Sequence, residues 1–336
     1  MSTLYPARLS NFELLRLVCM LMVVICHANG YVQAKDISGV AGFTKLAINQ
    51  FCLVCVNVFV MISGWFGIKA SWKGAASLLF QVAFFTLLCY AAARGSGHPA
   101  SIRRNLLPGL LFGYGYWFVP SYLILYALSP ILNAFSEQAS EKSFHTALII
   151  FFLAEFIYGF ILDTGHFAYG FSPLAFIGLY LLAHYARKYP GKLFTLTKGC
   201  DIALYLGFSF ISIIGIWFGY KWFEMGFHLN HYDSPLAIIA SLYFLLFFSK
   251  LNLENKVINW FAISAFSIYL VHENSLVSPH FHHFFNTLKS STSLPTYYLS
   301  MLGISLALGL GAILIDKLRI LAWNSILRSI PKHKQV

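Results

Sequence analysis

The stretch FELLRLVCMLMVVICHANGY, residues 12–31, decides the fold. Its apolar character is interrupted by Glu13, Arg16 and His27. A run of about 20 mainly apolar residues matches the roughly 30 Å hydrocarbon core of a bilayer. We therefore predict a membrane-spanning helix with ionisable groups inside it, which is a feature typical of functional sites.

The spacing of the ionisable residues is informative. Arg16 and His27 are eleven positions apart, so on a helix they lie within about 20° of one face and about 16 Å apart along the axis. Met20 and Val23 lie on the same stripe between them. Residues 10–13, Ser-Asn-Phe-Glu, read as a capping box that begins the helix and brings Glu13 within i,i+3 reach of Arg16. The structural alternative is a histidine bonded to backbone and an arginine that snorkels to the headgroups.

The composition excludes a soluble protein. Of 336 residues, 58% are hydrophobic and only 10% are charged, against about a quarter in soluble domains. The net charge of +11 does not indicate nucleic acid, because the basic residues are scattered among short loops and form no stripe. Cys52 and Cys55 form a C-x-x-C motif with no second ligand pair, so we expect small core residues there rather than zinc or redox chemistry.

Hydropathy predicts an all-α polytopic membrane protein, with a single bundle of about ten transmembrane helices forming one domain over residues 1–336. The predicted spans are 12–31, 45–67, 74–93, 110–133, 145–162, 171–187, 201–220, 234–249, 256–273 and 296–316.

The distribution of Lys and Arg predicts the orientation of these spans. With cytoplasmic termini, 15 of the 23 Lys and Arg residues lie on the inner side and seven on the outer side, with Arg16 in the membrane. The positive-inside rule therefore predicts a multi-pass protein of the cell (inner) membrane with both termini cytoplasmic. The loop 94–104 does not fit this orientation well, because it carries three of the seven outer Lys and Arg residues. The glycine-rich stretch 109–115 is a candidate re-entrant segment. In this orientation Arg16 lies in the cytoplasmic half of the first helix and His27 in the outer half.

Four short motifs occur in order along the chain. They are Arg16-x10-His27, the apolar run NVFVMISGWF at 57–66, WFVP at 117–120 leading to LSP at 128–130, and FSIYLVH at 266–272. Together they resemble the motifs of acyltransferase family 3, which comprises integral-membrane enzymes that transfer acyl groups, most often acetyl, to sugars and other acceptors.

The resemblance implies an O-acyltransferase that uses acetyl-CoA or another acyl-CoA as donor, with no metal. Its expected acceptor is a hydroxyl of a carbohydrate or lipid-linked sugar, in a surface polysaccharide or its precursor. His27 would be the general base or would itself carry the acyl group, since an imidazole titrates near neutral pH. Arg16, with Lys69 and Lys73, would hold the anionic end of acyl-CoA. The family more often has arginines in this region, and the two lysines also read as positive-inside anchors.

Other candidate site residues have more than one reading. Glu155 is a carboxylate within a predicted span, and we assign it a catalytic role. Three roles are open: it pairs with Arg16, it orients His27, or it is a neutral acid hydrogen-bonded to the backbone. Trp117 and Tyr122 are predicted to line the substrate site, although aromatic residues also form interfacial belts.

His272 is assigned to the substrate site, but its place at a helix end favours a structural role. The histidines at 228, 231, 280, 282 and 283 read as loop residues rather than zinc ligands.

A secondary transporter is the rival function. Arg16, His27 and Glu155 would then form a substrate or proton pathway through the membrane. The sequence shows no internal repeat and no paired Gly/Pro-broken helices, which such transporters commonly have.

Overall fold

The computed structural model describes residues 9–32, 37–112, 115–222 and 225–329. These residues form helices joined by short loops, with no strand among them. In this part of the chain, eight helices are long and apolar enough to cross a membrane. A shorter apolar segment runs over Lys256–His272. The prediction of an all-α, multi-pass membrane protein is confirmed.

The chain divides into two compact units, residues 1–70 with 121–259, and residues 71–120 with 260–336. The expectation of one domain stays a prediction. The first unit holds the helices α1 (Ser10–Asn29), α2 (Gly39–Cys52), α3 (Val54–Phe66), most of α6 (Phe118–Gln138), α7 (Glu141–Ala154), α8 (Pro173–Lys188), α9 (Lys198–Trp222) and α10 (Pro235–Ser249). A π-helical segment, Glu155–Ile161, continues α7.

The second unit holds the remaining helices and the first three residues of α6. They are α4 (Trp72–Gly95), α5 (Leu107–Phe112), the last three residues of α11 (Lys256–Ala262), α12 (Phe266–His272), α13 (Ser278–Ser291) and α14 (Leu294–Ser329). The histidines at 280, 282 and 283 lie on α13 rather than in a loop.

The capping box predicted for the first helix is wrong. Leu9 is the N-cap of α1 and makes no side-chain cap bond. The hydroxyl of Ser10 instead accepts a hydrogen bond from the Asn255 backbone N–H at 2.9 Å and lies 3.3 Å from its carbonyl oxygen. Asn11 donates to the carbonyl of Phe248 at 3.0 Å. The polar residues at the start of α1 therefore join the helix to the end of α10 and the segment after it.

Two predicted spans near the middle and end of the chain need correction. The span 110–133 is divided, because α5 ends at Phe112 and α6 begins at Phe118. The span 256–273 is likewise two short helices, α11 and α12. Gly113 and Tyr114, in the candidate re-entrant stretch, lie outside the described residues.

The last span is longer than the predicted 296–316, because α14 continues to Ser329. Asp316 and Arg319, which ended the apolar run in the sequence, are 0% and 5% exposed within this helix. The Arg319 guanidinium donates two parallel hydrogen bonds, of 2.8 and 2.9 Å, to the Asp316 carboxylate. Gln81 of α4 donates a third hydrogen bond to this carboxylate at 3.0 Å. The paired geometry and the added hydrogen bond offset part of the cost of burying these charges.

Two helices of the first unit approach each other closely at Gly64. A Cβ at this position would be 2.1 Å from the carbonyl oxygen of Tyr180 in α8. Only glycine allows α3 and α8 to pack at this distance. This contact explains the glycine in the Ser63-Gly64-Trp65 sequence at the end of the apolar run of α3.

Candidate functional site

The predicted stripe on α1 faces the protein interior. Met20, Val23 and His27 are 2%, 6% and 8% exposed. The side chain of Arg16 retains 31% of its exposure. Helix geometry places the Arg16 and His27 positions about 16 Å apart along this face.

Arg16 has a buried counter-ion on its own helix. Its guanidinium forms a hydrogen-bonded ion pair with Glu13, whose side chain is 4% exposed. The i,i+3 contact expected from the sequence is confirmed. Glu13 therefore takes the place of Glu155 as the partner of Arg16, and the pair reduces the cost of holding an arginine within a span.

The end of α3 approaches the Arg16 half of α1. Phe12 contacts the rings of Trp65 and Phe66, with centroids 5.9 and 4.7 Å apart. The Ser63 hydroxyl lies 3.1 Å from the hydroxyl of Tyr122, which is within electrostatic range of Arg16. Tyr122, predicted to line the site, thus lies in the same region as Arg16.

The loop that follows α3 is held in place by two side chains. Gly67 ends the helix with φ of 71°. The backbone N–H of Ile68 donates to the Tyr180 hydroxyl at 2.8 Å, and the Ile68 carbonyl accepts from Asn133 at 2.9 Å. Tyr180 in turn donates to Asn133 at 2.6 Å. Lys69 follows directly and is exposed, so a fixed backbone presents an exposed cation.

Two basic residues of α8 were missed as site candidates. The Arg187 guanidinium donates to the Trp65 carbonyl at 2.6 Å and lies 5.4 Å from the Phe66 ring centroid. The imidazole of His184, one turn earlier, lies beside the backbone of Gly64. Sequence reasoning counted Arg187 only as an inner-side charge. The sequence signal that could have identified Arg187 as a site residue was its position one helix turn after His184.

The His27 end of α1 is fixed by an amide network from α2. Asn29 donates to the side-chain oxygen of Asn49 at 2.6 Å and to the Lys45 carbonyl at 2.8 Å. Asn49 donates to the Gly30 carbonyl at 2.9 Å. The ammonium of Lys45, itself only 9% exposed, donates to the carbonyl of Tyr31 at 2.8 Å. These contacts fix the backbone that follows His27, and no periodic pattern in the sequence indicates them.

Three predicted site residues belong to the second unit. Lys73 is exposed in the first turn of α4, and Trp117 is half-buried with its ring 5.9 Å from Phe118. His272 is fully buried at the end of α12. Its Nδ1 lies 2.6 Å from the Ile268 carbonyl oxygen, which can only accept, so Nδ1 carries the proton. This bond fits the structural role that the sequence favoured.

Glu155 lies beside a second acid. It is 2% exposed at the first π-helical residue after α7, and Asp233, also 2% exposed, is its electrostatic neighbour. The two carboxylates line one cavity, whose lining contains neither Arg16 nor His27. The structure therefore gives no support to the predicted catalytic role of Glu155.

Within the first unit, α1 carries two chemically distinct ends. The C-terminal end of α3 lies among cations or titratable bases from three segments. They are Arg16, Lys69, His184 and Arg187. The imidazole of His27 lies at the other end of the same helix face. A cationic region binds phosphates, and an imidazole can move a proton or form an acyl bond.

Comparison with known proteins identifies the family of this chain. Neither curated proteins nor solved structures gave a match. A family model described as an acyltransferase domain matches residues 9–314, which include both α1 and the motif at 266–272. Since that match covers nearly the whole chain, this membrane protein belongs to the acyltransferase family 3 that its motifs resemble.

Proposed function

We propose that this protein is an acyl-CoA-dependent O-acyltransferase that modifies a sugar hydroxyl, with acetyl as the acyl group. The acceptor is a surface polysaccharide or its lipid-linked precursor. The observation that supports the proposal best is the buried His27 on the same face of α1 as the ion-paired Arg16.

The donor binds with its phosphates at the Arg16 end. Coenzyme A carries several negative charges at its nucleotide end, and Arg16, Lys69 and Arg187 offer three positive charges around the end of α3. Guanidinium groups can hold phosphate through two parallel bonds. The extended pantetheine arm then spans the 16 Å or so towards His27.

His27 carries out the chemistry in one of two ways. As a general base, it takes the acceptor proton while the acceptor oxygen attacks the thioester carbonyl; the C–S bond breaks, and the CoA thiolate receives a proton. As a nucleophile, its ring nitrogen attacks first and releases CoA, and the acceptor hydroxyl then attacks the acyl-imidazole and restores the histidine. Asn29, Asn49 and Lys45 hold the helix end that positions the ring in either case.

Release of CoA by the purified protein tests the proposal. The protein is reconstituted in lipid vesicles with acetyl-CoA and a panel of methyl glycosides, and free thiol is measured. His27→Ala should lower the acceptor-dependent rate by about 10² to 10⁴, as loss of a general base usually does. His166→Ala, at an exposed loop histidine, is the matched control and should keep the wild-type rate. If His27→Ala keeps more than a tenth of the rate, His27 is a structural residue.

Exchange of labelled CoA into acetyl-CoA separates the two roles of His27. The covalent route predicts exchange without acceptor, because the acyl-imidazole reacts back with free CoA. The general-base route predicts no exchange until acceptor is added.

The same preparation distinguishes the enzyme from the rival transporter. A transporter would move substrate across the vesicle membrane without consuming acetyl-CoA. The pairing of Arg16 with Glu13, and the position of Glu155 beside Asp233, also separate the residues that the transporter hypothesis placed on one pathway.

A further inference from the structure

A cavity of about 470 Å³ lies between α7 and α10 in the first unit. This volume is within the range of small-molecule sites. Its lining is hydrocarbon apart from two carboxylates, and the apolar lining residues are Ile149, Phe152, Leu153, Phe156, Leu182, Pro235, Ile238, Ile239 and Leu242. The carboxylates belong to Glu155 and Asp233.

Both carboxylates are buried with oxygens that lack hydrogen bonds. Oε2 of Glu155 and both carboxylate oxygens of Asp233 have no hydrogen-bond partner in any other described residue. The described titratable groups within electrostatic range of Asp233 are Glu155, Asp163, Tyr169 and His228, and none of them forms an ion pair with it. A buried acceptor without a partner costs about 1–3 kcal/mol, and more if it is charged. The described part of the chain therefore leaves these oxygens without the hydrogen-bond donors that burial requires.

The backbone around the acids has an irregular form. The helix changes from α to π at Glu155, and π turns inside helices often mark functional sites. A Cβ at Gly159 would lie 3.2 Å from Oδ2 of Asp233 and 3.0 Å from Cβ of Phe167. Glycine at this position lets the π segment pass close to the second acid.

The polar and apolar parts of the cavity are separated along the axes of α7 and α10. Glu155 lies six residues, about 9 Å, from the end of its π segment, and Asp233 lies just before α10. The hydrocarbon lining continues from the acids to Ile149 on α7 and Leu242 on α10, about 10 Å deeper into the spans. Ile149, with 47% of its surface exposed, and Leu153, with 54%, leave the side of the cavity open to the bilayer.

We propose that this cavity binds a membrane amphiphile whose uncharged or cationic head donates hydrogen bonds to Glu155 and Asp233. Its hydrocarbon chain lies along α7 and α10. The shared chemistry is a hydroxyl or ammonium donor on an apolar chain, because two acids repel an anionic head and a purely apolar molecule leaves them without partners. This site is separate from the proposed acyl-transfer chemistry and does not depend on it.

Photolabelling in lipid nanodiscs tests the site. Three probes share one diazirine-bearing twelve-carbon chain and carry a hydroxyl, ammonium or carboxylate head; labelled peptides are found by mass spectrometry. The hydroxyl or ammonium probe should label residues 149–156 saturably, and excess dodecanol or dodecylamine should reduce this labelling at least tenfold. The carboxylate probe should label these residues at least tenfold less. The head group is identified by the probe, hydroxyl or ammonium, whose labelling saturates.

Two neighbouring substitutions supply the matched control. Ile149→Trp fills the cavity and should abolish saturable labelling. Ile150→Trp makes the same change at a residue that is 63% exposed and outside the cavity lining, and it should keep the labelling. Equal labelling of the two variants, or equal labelling by all three probes, would overturn the proposal. If Ile149→Trp does not fold, competition in the wild-type protein decides the question: labelling that excess dodecanol and dodecylamine leave unchanged refutes the site.

Discussion

Replacement of Gly64 by alanine should disrupt the contact between α3 and α8. The new Cβ would lie 2.1 Å from the Tyr180 carbonyl oxygen and 2.8 Å from two further Tyr180 backbone atoms, whereas ordinary contact begins at 3.4 Å. The helices must therefore separate by about 3.4 − 2.1 = 1.3 Å, since backbone atoms cannot rotate away. Overpacking of this kind costs about 1–3 kcal/mol, and we expect the upper end.

The same displacement should lower activity, because the end of α3 carries Ser63 and Trp65. A shift of about 1 Å at positioning residues can cost about 10²-fold in rate. The assays are thermal unfolding in detergent and acceptor-dependent CoA release.

Gly207→Ala is the matched control. Gly207 is a glycine of α9 with no atom within 4 Å of an added Cβ. Its replacement should leave activity unchanged and stabilise the helix by up to about 1 kcal/mol. If Gly64→Ala and Gly207→Ala have the same unfolding temperature and the same activity, the close approach at Gly64 does not constrain the two helices.

Three further substitutions test separate contacts. Arg16→Ala should raise the KM for acyl-CoA at least tenfold, with partial rescue by Arg16→Lys if the contact is a point charge. An unchanged KM for acyl-CoA with a raised KM for acceptor would contradict this assignment. Arg187→Ala should also raise the KM for acyl-CoA, by several-fold, and a loss of thermal stability alone would make Arg187 a structural residue that only holds the Trp65 carbonyl. Asp316→Asn should lower the free energy of unfolding by about 3–5 kcal/mol, because it leaves Arg319 buried without its counter-ion; an unchanged unfolding temperature would show that the pair contributes nothing.

The sequence predicted the interior face of α1 because helical periodicity determines which residues share a face. Arg16, Met20, Val23 and His27 fall on one stripe from their spacing alone, and burial of the last three confirms it. The ion pair between Arg16 and Glu13 is equally local, so it could also be predicted.

Contacts between distant segments could not be predicted in this way. Ser10 has the residue type of an N-cap, yet its hydroxyl bonds Asn255, which is 245 positions away. Asp233 directly precedes the predicted span 234–249, and only the fold brings it to Glu155. The predicted last span stops at residue 316, although the pairing of Asp316 with Arg319 makes both charges compatible with a buried helix.

The proposed function predicts a direction of acyl transfer from the two ends of α1. If the termini are cytoplasmic, the proposed function predicts that Arg16 holds the donor on the inner side and that His27 receives the acyl group beyond the membrane midplane. The acceptor would then approach from the outer side, without the thioester leaving the protein.

Vesicles of defined orientation test this central claim most directly. Acetyl-CoA with a labelled acetyl group is supplied only on the side of the termini, and a membrane-impermeant glycan acceptor is held only on the opposite side. We predict acetylation of that acceptor by the wild-type protein and a loss of at least about 10²-fold with His27→Ala. Acetylation that requires donor and acceptor on the same side, or that is unchanged in His27→Ala, would contradict the account.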